Sequence, residues 1–209
     1  MSNNTAFFAA ACLSLSLATI PAIADDAAKK VLTVYTYDSF VSDWGMGPLI
    51  KPTFEEQCAC TLNLVGMDDA VAMLQRLKLE GASTQADLVL GLDLNLVDDA
   101  KKSGLFASHS VDTSNLSMPI AWQDDTFVPF DYGYFAFVYN TELMPNPPKS
   151  LDELVNAGPE LKIIIQDPRS STPGLGLLLW MKSVYGDQAD AAWAKLSDNI
   201  LTTTKGWSE

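Results

Sequence analysis

The first regular segment in the apolar and polar pattern is residues 31–37, Val-Leu-Thr-Val-Tyr-Thr-Tyr. It is β-branched or aromatic at every position except Leu32 and predicts a strand. The polar turn Asp38-Ser39-Phe40 ends it. A helix is predicted over 48–57, with Pro52 expected to kink it or shift its start. Residues 61–67 read as a second strand, followed by Asp68 and Asp69 as helix-start residues. Ala70, Met73, Leu74 and Leu77 then fall at i, i+3, i+4 and i+7, the apolar face of a helix that closes at Gly81. Residues 86–92 predict a third strand ending at Asp93, and 94–103 a short helix closed by Gly104. Strands and helices alternating in this order imply a parallel sheet with right-handed crossovers.

The pattern changes after Phe106. Residues 107–126 are polar and turn-rich, and 127–139 form a long, densely aromatic extended segment. That segment is long enough to leave one sheet and enter another, so an interdomain crossing strand is expected there. Residues 145–148 are a proline-rich connector, and Ser150-Leu151-Asp152-Glu153 is a capping box opening a short helix. Ile163-Ile164-Ile165 reads as a buried strand. It leads through Asp167-Pro168-Arg169-Ser170-Ser171 into an apolar helix running to Tyr185, with Thr172 as the expected N-cap and Pro173 at the first helical position. Gly174 and Gly176 leave little side chain around that first turn, so a small electron-rich group can approach its free backbone N–H groups. A capped helix with its polar loop in water explains the same residues equally well. A further helix is expected over 187–199, with Ala191, Trp193 and Leu196 facing inward, and residues 202–209 read as a strand and turn.

Composition narrows the class. Residues 1–24 read as a secretory signal peptide: the apolar run over 6–20 is too short to span a bilayer and ends in the cleavage pattern Ala22-Ile23-Ala24. No later segment is apolar enough to span a membrane. The net charge of −13 argues against nucleic acid, which needs clustered Lys and Arg, and suits a freely diffusing protein. Cys12 leaves with the signal. Cys58 and Cys60 are able to bridge in an oxidising compartment, although so tight a ring is strained, and without His neighbours they are poor zinc ligands.

In open α/β sheets ligands sit beyond the carboxyl ends of the strands. Those ends carry Tyr37-Asp38-Ser39, Asp68-Asp69, Asp93, the Ser170-Ser171-Thr172 turn and Lys205-Gly206-Trp207. Aromatic, acidic and hydroxyl groups of this kind suit a flat, partly cationic solute. Taken singly, each carboxylate also reads as a solvated helix cap. Enzyme signatures are thin. His109, the only histidine, lies in the irregular stretch with nothing to place it beside Ser171. There is no G-x-S-x-G, phosphate loop or H-E-x-x-H, and the paired aspartates lack calcium-loop spacing.

Five blocks carry a resemblance: 35–40, 127–139, 166–169, 171–180 and 205–209. Together they closely resemble the periplasmic thiamine-binding proteins of bacterial ABC importers, over the whole chain after the signal. The resemblance implies an α/β fold of the periplasmic-binding-protein type II kind, with two lobes that close over the solute. It implies a non-catalytic receptor in the periplasm that takes thiamine or thiamine phosphates and delivers them to a membrane permease. No cofactor is implied; thiamine is cargo. Ligand contacts are implied at Asp69 and Ala70, at Ser171 and Thr172, and at Trp207, with Tyr37 as a stacking wall. Two departures stand out. The family commonly has Gly where this chain has Ala70, and its members continue well past Gly206-Trp207-Ser208-Glu209. The chain is therefore expected to be C-terminally truncated, with a first lobe over 25–126, a crossing strand over 127–139 and a partial second lobe over 140–209. An incomplete second lobe is expected to deprive Leu177, Leu178, Trp180 and Trp193 of some packing. The alternatives are a receptor for ferric iron or a polyamine, and a secreted hydrolase using Ser171.

Overall fold

A computed structural model describes residues 29–209. The expected signal peptide over 1–24 lies outside the described residues. Strand β1 (Val31–Tyr37) pairs in parallel with β2 (Thr61–Met67) along its whole length, and with β3 (Leu88–Val89) on its other side, giving the order β2-β1-β3. The β3 ladder is shorter than the apolar run predicts. Asp87 and Leu90 still donate to the Thr33 and Tyr35 carbonyls at 2.9 Å, but Gly91 turns the chain away at φ +110°. A side chain at Gly91 would also meet the Tyr37 ring at 2.4 Å, so glycine is required there twice over.

Helix α1 (Asp38–Val41) replaces the expected turn after β1. Helix α2 (Met46–Cys58) starts earlier than predicted and continues through Pro52, which forfeits one backbone bond in a helix long enough to keep the rest. Helix α3 (Ala70–Glu80) buries the predicted face: Ala70, Met73, Leu74 and Leu77 are all within 3% of full burial, packed on Tyr35, Met67 and Ala100. Burying side chains such as Met73 and Leu74 stabilises by ~1.5–3 kcal/mol each. Helix α4 (Val97–Lys102) begins three residues later than expected. Cys58 and Cys60 are joined by a disulfide across the α2–β2 junction.

The second sheet is β4 (Ile163–Gln166) paired in parallel with β5 (Ile200–Thr204), with its own core of Leu151, Leu154, Val155, Leu177, Met181, Ala192 and Leu196. These come from helices α5 (Leu151–Val155), α6 (Thr172–Tyr185) and α7 (Ala189–Ser197). The predicted cap forms, although not as a closed capping box: Ser150 Oγ accepts from the Glu153 N–H at 3.0 Å, while Glu153 Oε2 accepts from the Lys149 N–H at 2.8 Å, one residue before the cap. Three expectations need correction. Ile164 is 59% exposed rather than buried, because the β4–β5 sheet has only two strands among the described residues. In α7, Ala189, Ala192 and Leu196 face inward, whereas Ala191 is exposed. Residues 127–139 join neither ladder and so are not a strand. They still touch the first core and helix α6. Phe127 packs on the first, Phe135 lies against Gly176, and the Phe137 and Trp180 rings sit 6.4 Å apart. Of the α6 and α7 positions expected to lose packing, Leu177 is buried, while Leu178 and Trp180 are each 39% exposed.

Candidate functional site

Asp69 sits where the two sheets' helices meet. It is the N-cap of α3, in extended conformation, and its Oδ1 accepts the Ala70 N–H at 2.8 Å. Its Oδ2 reaches the other unit and accepts the Thr172 N–H at 3.0 Å, in the first turn of α6. One carboxylate thus satisfies free donors of two helices, whose positive ends both favour a negative charge there. Ala72 reinforces the contact by donating its N–H to the Ser170 carbonyl at 3.1 Å, and Leu175 of α6 packs against the first core.

Ala70 is fully buried in α3. It is not among the residues with positive φ, so alanine is compatible with the position. The α6 cap falls one residue earlier than predicted. Ser171 is the N-cap, with φ −113° and ψ 137°, and its Oγ accepts the Gly174 N–H at 3.3 Å; Thr172 is already helical. The Ser171 hydroxyl donates to Gln166 Oε1 and is fully buried, so both its roles are used inside the protein. Its partner is an amide, which cannot act as a base. His109 is engaged locally: Nδ1 accepts from the Val111 N–H at 3.1 Å, which leaves the ring proton on Nε2, 3.1 Å from the Asp124 carbonyl. Among the described residues no serine hydroxyl is hydrogen-bonded to His109.

Gly206 closes the arrangement. A Cβ there would lie 2.7 Å from the Asp68 carbonyl, so only glycine lets this segment approach the start of α3. Ser170 Oγ donates to the neighbouring Lys205 carbonyl at 2.6 Å. Trp207 follows directly and is 62% exposed, free to offer its face to a solute. Tyr37 stands on the first unit, packed edge-on to Phe40 with centroids 5.7 Å apart. Burial, then the negative charges of Asp131 and Asp69, push its phenol up. Asp93 joins the same acidic group: burial pushes its carboxyl up against the Asn95 hydrogen bond, and Asp69 adds to the shift.

Asp69, Ala70, Ser171 and Thr172 are therefore brought together, with Gly206-Trp207 adjoining and Tyr37 within electrostatic reach of Asp69. Gln166, which receives the Ser171 hydroxyl, and Asp131, whose charge acts on Tyr37, are the neighbours that sequence reasoning missed. Gln166 ends a strand beside the Ser171 turn, which was its signal; Asp131 was hidden in an aromatic run. Among the described residues no three His, Cys, Asp or Glu side chains are grouped to hold a metal ion, and no helix is long and apolar enough to cross a membrane.

Two α/β units, each built on a parallel sheet, meet through strand ends and helix starts, with carboxylate and aromatic groups at the seam. The profile of the bacterial extracellular solute-binding protein family matches residues 83–206, and the chain belongs to that family. It is 58% identical over 198 residues to the thiamine-binding periplasmic protein of Brucella suis biovar 1 (strain 1330), covering 94% of this chain and 59% of that relative. It is also 58% identical over 182 residues to the thiamine-binding periplasmic protein of Escherichia coli (strain K12), covering 87% of this chain and 56% of the relative. The chain thus spans less than two thirds of the length of either. A solved periplasmic thiamin binding protein superposes with a TM-score of 0.83 at 58% identity, over 86% of this chain and 57% of that one. Iron-bound HitA from Pseudomonas aeruginosa superposes with a TM-score of 0.63 at 15% identity, over 84% and 56%, a likeness of fold alone. The fold is accordingly α/β, of the periplasmic-binding-protein type II kind.

Proposed function

We propose that this chain carries a large part of a non-catalytic periplasmic receptor that captures thiamine and hands it to an ABC transporter permease. Within it, 25–126 and 140–209 act as two lobes linked by 127–139. The similarity to thiamine-binding relatives supports the ligand class. The observation that carries the reading is Asp69, whose carboxylate joins the starts of α3 and α6. Thiamine combines an aminopyrimidine donor with a cationic thiazolium ring. An aspartate accepts from the amino group, and Tyr37 and Trp207 offer faces to the rings. Ala70, Ser171 and Thr172 contribute through the backbone around the two helix starts, since the Ser171 hydroxyl is committed to Gln166 and Gly174. Thiamine phosphates are weaker candidates for the α6 start, because the Asp69 carboxylate already occupies its positive end and repels a second anion.

The test is a titration of the chain with thiamine, thiamine phosphate, ferric citrate and spermidine, followed by tryptophan fluorescence and calorimetry. Saturable binding of thiamine that is lost in Asp69→Ala is expected. Tighter saturable binding of iron or polyamine would replace the reading.

A further inference from the structure

The disulfide between Cys58 and Cys60 takes no part in the site above. A crosslink stabilises a fold mainly by restricting the unfolded chain, and does less as the enclosed loop shortens. This one encloses only Ala59. The junction it spans is held by other bonds as well. Thr61 donates its N–H to the Lys30 carbonyl at 2.8 Å, Leu62 donates to Glu55 Oε1 at 2.7 Å, and the Lys51 ammonium donates to the Leu62 carbonyl. As a staple the disulfide is redundant. It also coincides with an unfavourable backbone. Ala59 lies at φ +50°, the one non-glycine residue with positive φ among the described residues, where its Cβ crowds the carbonyl oxygen. Access to the two sulfurs differs: Cys58 is exposed, whereas Cys60 is 8% exposed.

We propose that Cys58–Cys60 is a thiol–disulfide exchange site whose co-reactant is a small thiol. The attacking thiolate bonds to Sγ of Cys58, the exposed sulfur. The Sγ–Sγ bond breaks, and Cys60 leaves as a thiolate that takes a proton from water. A second thiol attacks the mixed disulfide, releases the oxidised dimer of the small thiol and leaves Cys58 as a thiol. Two thiols are oxidised and one protein disulfide is reduced, so two electrons pass to the protein. Reduction frees Ala59 to leave the left-handed region while the Lys30, Glu55 and Lys51 bonds keep the junction closed.

The experiment equilibrates the purified oxidised protein in glutathione buffers of graded redox ratio, alkylates free thiols and measures intact mass. Far-UV circular dichroism monitors the fold. Structural disulfides resist the glutathione pool. Here the disulfide should be mostly reduced in excess reduced glutathione with the spectrum unchanged, and Cys60→Ser should trap glutathione on Cys58, located by peptide mass. A disulfide that persists in reduced glutathione until the protein is denatured would overturn the proposal. So would a mixed disulfide found on Cys60 of the wild type. Both readings come from the wild-type protein, so they stand even if Cys60→Ser fails to fold. Neither depends on thiamine.

Discussion

Asp69 Oδ2 accepts the backbone N–H of Thr172 at 3.0 Å, although 103 residues separate the two in sequence. The same side chain caps its own helix through Ala70 at 2.8 Å. Asp69→Ala removes both bonds and leaves two part-buried donors without an acceptor. We expect a loss of ~1–3 kcal/mol of stability, the sum of one cap and one long-range bond. Asp69→Asn keeps one acceptor oxygen and should cost less. Urea unfolding of the three proteins checks the order, and equal midpoints for Ala and wild type would show the contact to be energetically idle.

Ser171→Ala removes the N-cap of α6 and leaves the Gln166 Oε1 acceptor unpaired. The expected cost is ~0.5–2 kcal/mol of stability. Because the hydroxyl is fully buried and bonded to an amide, wild-type protein should not react with a serine-directed fluorophosphonate probe. Stoichiometric labelling at Ser171 would restore the hydrolase alternative.

The first unit was largely legible in the sequence because its signals are local. The β-branched run 31–37 and the spacing of Ala70, Met73, Leu74 and Leu77 each fix one element, and the structure keeps both. The misreadings arise where the deciding contact is distant. Residues 86–92 have strand composition, yet Gly91 must clear the Tyr37 ring and ends the ladder early. Ser171 and Thr172 are both good caps on paper. Gln166 decides between them, because it receives the Ser171 hydroxyl. The aromatic run 127–139 is rich in strand-forming residues but has no neighbour among the described residues that pairs with it, and its side chains dock on Gly176 and Trp180 instead. In the site, Asp69 was visible as a helix start; its bond to Thr172 depends on how the two units meet, which no local pattern encodes.

Asp167 and Arg169 give a pH-dependent test. The Arg169 side chain, with its backbone N–H, holds the Asp167 carboxyl down at about 2. A depressed carboxyl contributes stability that is fully present above its ordinary value near 3.8 and is lost as pH falls through about 2. Arg169→Ala should raise the Asp167 titration only part of the way, because the Arg169 N–H at 2.8 Å remains. Carbon-detected NMR titration measures this. At pH 7 the urea midpoint should barely move, since the guanidinium is 88% exposed and solvent screens the pair.

Trp207→Ala separates fold from site. The indole is 62% exposed, so its removal should leave stability within ~0.5 kcal/mol of wild type. If Trp207 stacks on thiamine as proposed, binding should weaken by ~1–3 kcal/mol. Calorimetry reads the second number and thermal unfolding the first. Unchanged affinity would remove Trp207 from the site.

Asp93 is a carboxylate that the fold accommodates poorly. Its Oδ2 accepts from Asn95 Nδ2 at 2.8 Å, but no group among the described residues donates to its buried Oδ1. Burial pushes the carboxyl up, the Asn95 bond opposes this, and the charge of Asp69 adds to the rise. The sign follows from proton counting. When the folded value lies above the unfolded one, the folded state holds more protons between the two. Stability then falls as pH rises from the ordinary value near 3.8 through the raised one, and the full penalty applies above it. Asp93→Asn carries no charge and loses that slope. Its urea midpoint should exceed wild type at pH 7, and the difference should shrink or reverse at pH 3, where wild-type Asp93 is protonated. If wild type is the more stable at pH 7 and the gap does not change with pH, the Asn95 bond outweighs burial, and Asp93 is an ordinary capped carboxylate.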